Sequence, residues 1–533
     1  MNPGTIPLAM AITAAVFVAR ATPAGQQAPP PFAIEEASIR DIHAAMREGR
    51  LTCDALVRGY LRRIEAYDKN GPALNTIVVV NPHALADAAE LDRRFKAAGP
   101  VGLLHCIPAI VKDNFETVGL QSAAGSLALE GFVSPRDAFQ VKRIREAGAI
   151  VLAKSNMAEW AFSPYETVNS ILPGYTKNPY ALDRVTAGSS GGTAAAVAAS
   201  FGAVGLGSDT GNSIRGPSSH QALAGIRSTM GLTSRAGVVP LNLLADIAGP
   251  MTRTLEDAVI VLQAIAGPDP DDPVTMADSA VARRFAPGAR PARLPDYRAS
   301  LVSDGFKGAR VGVLRQAYER ETTDQEIVSV FVAAVEHMRR AGAVVLDPFR
   351  VELGTGRPQG MAPCGGFKHD INRYLAAHGN KVPVRSLEDI IKSRRFHPGV
   401  QRRLEQSQEG PENALDSDAC AAEAEYRQQV RSAVLKAMDA ERVDALVYPT
   451  WSNPPRLIGD LNTPHGDNSQ FFSPVTGFPA INVPMGYTRG GLLPAGITFF
   501  GRAWDEPRLI RLAYAYEQAT RHRRPPPSTP PLR

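Results

Sequence analysis

Cysteine is scarce in this chain: four residues, at positions 53, 106, 364 and 420, none in a Cys-x-x-Cys pair. Zinc and thioredoxin-like readings therefore fail. Cys53 and Cys106 stand near apolar residues and read as core thiols in preference to disulfide partners. Long apolar runs are also missing. Ile6 to Val18 is too short to span a membrane. Charge of one sign is nowhere massed: the net charge is +5, and basic residues sit beside acids, as in Leu61-Arg62-Arg63-Ile64-Glu65. That pattern is a solvated helix face, not a nucleic-acid footprint. The one basic cluster, Arg521-His522-Arg523-Arg524, fits a helix C-terminus, where positive charge is favoured. The proline-rich residues that follow, completing 521–533, read as a loose tail. No metal or organic cofactor is implied.

What is present is an ordinary globular composition, 44% hydrophobic and 21% charged, on a chain long enough to bury a large core. The N-terminal segment 1–24 has the look of a secretory signal peptide. Small residues at cleavage spacing, Ala19-Arg20-Ala21 and Thr22-Pro23-Ala24, follow the apolar run, although Met1 to Thr5 holds no Lys or Arg. Export to the periplasm or outside is the expectation, with the cytoplasm as the alternative if the leader does not function. Residues 25–33 are a flexible, proline-rich segment.

From there helical and strand patterns alternate. Cys53 to Tyr67 has helical spacing with Thr52 as N-cap. Ile107 to Lys112 is a short buried strand, Ala149 to Lys154 another, Gly192 to Phe201 a small-residue helix and Ala203 to Gly207 a strand. Further strands are read at Thr76–Val80, Ala309–Leu314, Ala445–Tyr448, Ala480–Met485 and Gly496–Phe500, and a last helix at Glu506–Thr520. This alternation predicts an α/β fold with a central sheet, ligands being held in the loops after strands.

Two serine-bearing, glycine-rich turns carry the chemistry. The first is Gly188-Ser189-Ser190-Gly191-Gly192. It satisfies Gly-x-Ser-x-Gly, a nucleophile elbow centred on Ser190, but that reading needs a downstream acid and histidine. His369, His465 and His522 are available, none in a distinctive context. As an isolated motif it is equally a Gly/Ser turn capping a helix. The second turn, Asp209-Thr210-Gly211-Asn212-Ser213-Ile214-Arg215, places a serine where consecutive N–H groups can converge on one oxygen. Asp209 and Arg215 bracket the turn and are expected to form a structural ion pair. Upstream lies Lys112, in Ile110-Val111-Lys112-Asp113-Asn114.

With Leu104-His105-Cys106-Ile107-Pro108 these segments make the chain resemble the amidase signature family over about residues 34–520. The resemblance implies a single large domain: a central mixed sheet with helices on both faces. It implies Ser213 as nucleophile and Ser189, after a cis peptide bond, as the bridging serine. It implies Lys112 as base, and the N–H groups of Thr210, Gly211, Asn212 and Ser213 as oxyanion hole. Ser190, Asp209 and Arg215 support the network. A lysine is ordinarily charged up to about pH 10.4; burial beside Ile110 and Val111 is expected to leave Lys112 neutral. Two positions depart from the family, Cys106 and Asn212, where glycine is usual. Asn tolerates left-handed backbone better than most residues, so the turn survives while its side chain alters the acyl site.

The implied activity is hydrolysis of a small-molecule amide at a C–N bond other than a peptide bond. Alternatives are an ester or carbamate hydrolase with the same residues, or a binding protein that has lost catalysis. A homodimer is left open. Met157, Trp160, Tyr165, Trp451, Phe471 and Phe472 are candidates for the pocket wall, though each alone reads as core packing. Gly354 to Phe396 is the candidate entrance.

Overall fold

A computed structural model describes residues 32–353, 366–412, 418–464 and 466–532, with Met1 and Gly4. The leader and proline-rich expectations for 2–3 and 5–31, Cys364 and His465 lie outside the described residues, as does 354–365 of the candidate entrance. Eleven strands form one mixed sheet: β1 Ile77–Val80, β2 Pro108–Lys112, β3 Ile150–Ser155, β4 Val204–Asp209, β5 Ala224–Arg227, β6 Ile247–Thr252, β7 Arg310–Val313, β8 Val344–Leu346, β9 Ala445–Pro449, β10 Ala480–Thr488 and β11 Leu493–Phe500. Their order across the sheet is β1-β3-β2-β4-β6-β5-β10-β11-β9-β7-β8. Helices cover both faces, as expected for the α/β class.

The site depends on one pairing. β2 runs parallel to both β3 and β4. Two parallel neighbours end on the same side of a sheet, so the end of β2 (Lys112) and the end of β4 (Ser208 and Asp209) meet there. Every residue of β2, β3 and β4 is buried, which explains their near-continuous apolar sequence. The helix Gly191–Ala198 precedes β4 and is buried along its whole length. Its small side chains let it lie close against β2, β4 and β6. β5 and β6 escape a pattern-based reading because Ala-Gly-Ile-Arg and Ile-Ala-Gly-Pro-Met-Thr carry glycine and proline in strands.

Three expectations are corrected, the first being the solvated face at Leu61–Glu65, where Arg63 is buried. Cys53 and Cys106 are bonded as a disulfide, with Cα atoms 5.4 Å apart. Cys53 opens the helix Cys53–Ile64, capped by Thr52 as expected, and Cys106 lies just before β2. Only the fold brings residues 53 apart in sequence together. Cys106 also holds a φ of 62°, the left-handed backbone that glycine would adopt more readily. The tail is docked, not loose. Arg63, 1% exposed, donates to the carbonyls of Thr529 and Pro530 at 2.8 and 3.0 Å, and Arg523 pairs with Glu36 at 2.7 Å. A buried guanidinium needs acceptors for its five N–H groups, and the tail supplies two. Among the described residues no helix is long and apolar enough to cross a membrane.

Candidate active site

Lys112 is fully buried at the end of β2. Its Nζ lies 2.7 Å from Ser189 Oγ and 2.9 Å from Ser208 Oγ. Asn114 Nδ2 donates to the same Ser208 hydroxyl at 3.0 Å. Burial pushes the Lys112 amine down to about 7, against the opposing pull of Asp246 and Asp209. Near neutral pH a large share of it is therefore uncharged and able to accept a proton.

Ser189 follows a cis Gly188–Ser189 bond, as the resemblance implies. Only glycine fits at 188, where a Cβ would lie 2.4 Å from the Ser163 carbonyl oxygen. The Gly188 N–H donates to the Pro164 carbonyl at 2.9 Å. Ser190 Oγ donates to the Ser208 carbonyl at 3.2 Å. No histidine bonds to Ser190 among the described residues. His369 contacts the Glu412 carbonyl, and His522 packs near Tyr516. The elbow reading therefore lacks its base here.

The second turn is clasped from beneath. Arg215 Nε donates to Asp209 Oδ2 at 3.1 Å, and its Nη2 reaches the Gly211 carbonyl at 2.7 Å. Arg227 donates to Asp209 Oδ1 at 3.0 Å. Burial alone would raise the Asp209 carboxyl, but Arg215 and Arg227 prevail and hold it at about 2. The backbone N–H groups of Ile214 and Arg215 point back to Asp209 Oδ2. Those of Thr210, Gly211, Asn212 and Ser213 donate to no acceptor among the described residues. Among the described residues, four consecutive donors thus have no partner beside the Ser213 hydroxyl. Neither Gly211 nor Asn212 has a positive φ, so the turn does not demand glycine at 212.

Ser213 is 6% exposed, and its Oγ donates to Asn212 Oδ1 at 3.4 Å. No hydrogen bond joins the Ser189 and Ser213 hydroxyls among the described residues; the Ser213 hydroxyl donates to the Asn212 side chain instead. The structure thus brings Lys112, Ser189, Ser190 and the Asp209–Arg215 turn around the ends of β2 and β4. Sequence reasoning missed Ser208, Asp246 and Arg227, and gave Asn114 no role. Thr210 Oγ1 donates to Asp246 Oδ1 at 2.5 Å. Ser208 immediately precedes Asp209, yet nothing in Gly-Ser-Asp marks its hydroxyl until β2 is laid beside β4.

Of the wall candidates, Tyr165 and Trp451 meet edge to face, ring centres 6.4 Å apart. Trp451 also borders Gly216 in the helix Arg215–His220 that follows Ser213. Met157 and Trp160 belong to an apolar cluster with Phe367, and Phe472 to the main core with Phe471 packed on it. Gln470, which no sequence pattern marks, stands over Gly211.

A buried lysine, two serine-bearing turns and four consecutive N–H groups on a mixed α/β sheet define the architecture of amide-bond hydrolases of the amidase signature type. The chain belongs to that family: the Amidase family model matches residues 55–510. It is 36% identical over 519 residues to a protein of Arabidopsis thaliana named as a probable amidase, covering 93% of this chain and 92% of that one. Among solved structures, peptide amidase from Stenotrophomonas maltophilia superposes with a TM-score of 0.79 at 36% identity, covering 92% of this chain and 98% of that one. An amidase family protein from Bacillus anthracis str. Ames superposes with a TM-score of 0.78 at 30% identity, covering 92% of each chain.

Proposed function

We propose that the protein hydrolyses a linear carboxylic amide, at a C–N bond other than a peptide bond, to an acid plus an amine or ammonia. The observation that carries this reading is the buried Lys112 amine, brought near neutrality and 2.7 Å from Ser189 Oγ. Neutral Lys112 accepts the Ser189 proton as Ser189 accepts that of Ser213. Ser213 first turns from Asn212 Oδ1. Its oxygen bonds to the amide carbon while the carbonyl π pair moves onto oxygen, where the Thr210–Ser213 N–H groups receive the charge. Collapse expels the nitrogen, protonated through Ser189 from Lys112, and leaves an acyl-enzyme. Water then gives a proton through Ser189 to Lys112 as it bonds to the acyl carbon; the bond to Ser213 Oγ breaks, the proton returns to Ser213, and the acid leaves. Esters and carbamates present the same carbonyl, so a matched panel of the three decides the leaving group. In Ser213→Ala, hydrolysis and labelling by a serine-directed phosphonate are expected to vanish. Hydrolysis retained there but lost in Ser190→Ala sinks the assignment. The Cys53–Cys106 bridge supports export, since disulfides persist in oxidising compartments.

A further inference from the structure

The Asn212 side chain lies between the two serine turns. Its Nδ2 donates at 3.3 Å to the Pro164 carbonyl, the same oxygen that holds the Gly188 N–H. Its Oδ1 accepts from Ser213 Oγ at 3.4 Å. It is 1% exposed, so this space is filled. One turn further on, Gly216 leaves room for it. A methyl group at 216 would sit 2.7 Å from Asn212 Nδ2 and 2.9 Å from Trp451 Cζ3. Real contacts of that kind are never so short, so either the carboxamide or the indole must give way. Trp451 is itself held, its ring centre 4.7 Å from that of the buried, neutral His220 of the helix Arg215–His220, the two planes tilted by 56°. Gly216 has no positive φ, so its glycine is required by space and not by backbone.

A carbonyl carbon under attack must come within bonding reach of Ser213 Oγ, and the Asn212 carboxamide already touches that atom. The departing nitrogen must turn toward Ser189 and Lys112, which protonate it. The remaining substituent, the acyl chain, therefore shares its space with Asn212, Trp451 and Tyr165. We infer that Asn212 sets the width of the acyl side of the site and that Gly216 is the space in which its side chain is seated. This inference rests on Ser213 as nucleophile. It assigns the substrate class as amides whose acyl group is unbranched next to the carbonyl. Shortening Asn212 opens room for branching; filling Gly216 drives the carboxamide toward the acyl group.

The test uses two series of amides with one chromogenic or fluorogenic assay. One varies branching at the acyl α-carbon with the amine fixed; the other varies the amine with the acyl group fixed. Asn212→Gly is expected to raise the ratio of kcat/KM for branched over unbranched acyl groups about tenfold, the range one methylene is worth in a closed pocket. Gly216→Ala is expected to lower that ratio. In both, the amine series should keep its order. Each ratio is measured on one preparation, so the folded fraction cancels, and Asn212→Ser replaces a variant that fails to fold. An acyl ratio unchanged in both variants, or a change confined to the amine series, overturns the inference. Ser213→Ala, run alongside, separates the two failures. Activity surviving there removes the nucleophile assignment itself, whereas loss of activity with a flat acyl ratio removes only the role of Asn212.

Discussion

Two lysines end neighbouring strands of this sheet, and both are completely buried. Lys112 closes β2 and Lys154 lies near the end of β3. Burial lowers both amines, to about 7 and about 8, values too close to separate a base from a structural cation. Their partners separate them. Lys154 Nζ donates to the Phe115 carbonyl at 2.7 Å, to Ser122 Oγ at 2.9 Å and to the Gln121 carbonyl at 3.2 Å, with Asp113 at 3.9 Å. Carbonyls and a carboxylate only accept, and Ser122 Oγ gives its own proton to the Phe115 carbonyl at 3.0 Å, so all of these partners favour the ammonium. Lys112 faces two hydroxyls, which can donate as well as accept. Desolvation makes a lysine willing to lose its proton; a neighbour with a proton to give makes it a base.

The sharpest way to break the comparison is to remove each lysine in turn. Lys112→Met should lower kcat/KM by about 10²–10⁴, the usual worth of a positioned general base, with the thermal midpoint little changed. Lys154→Met should do the opposite. It strands Asp113 and several carbonyls, costing about 3–5 kcal/mol as for other broken buried pairs, read by denaturant unfolding, while the folded fraction retains its turnover. If Lys154→Met instead abolishes turnover in folded protein, the distinction fails.

A smaller effect tests the support behind β2. Cys106→Gly relieves the left-handed residue but opens the bridge to Cys53, and a net loss of about 2–4 kcal/mol is expected. Cys53→Ser should lose the same bridge and show a comparable drop in thermal melts, and combining it with Cys106→Gly should add little further loss. The smallest effect is a shift. With Lys112 at about 7, kcat/KM should fall about tenfold per pH unit below that value as the amine takes up a proton. Asp246 favours the ammonium, so Asp246→Asn should move this acid limb to lower pH. A limb that stays put, or moves up, means that the titrating group is not Lys112.

Much of this arrangement is legible in the amino-acid order alone. The apolar runs locate β2, β3 and β4 to within a residue or two because those strands are buried on both faces. Lys112, Ser189 and Ser213 stand out because three motifs follow in order. What stays hidden depends on contacts distant in sequence. Ser208 acquires its role only through the parallel pairing of β2 with β4. Cys53 meets Cys106 only after a helix packs against the loop before β2. Asn212 draws notice because glycine is usual there; the left-handed backbone is absent, and which groups its carboxamide bonds, the Pro164 carbonyl and the Ser213 hydroxyl, shows only in the fold.

The docked tail has a practical side. Arg63 gathers carbonyls from Ala199 and Ser200, at the end of the small helix that begins after Ser190, together with those of Thr529 and Pro530. Glu35 is its fifth partner, so clipping by a carboxypeptidase during purification would leave that guanidinium buried with two of five acceptors gone. Intact mass at the C-terminus is therefore as informative a measure of sample quality as specific activity, and an affinity handle belongs elsewhere than on the last few residues.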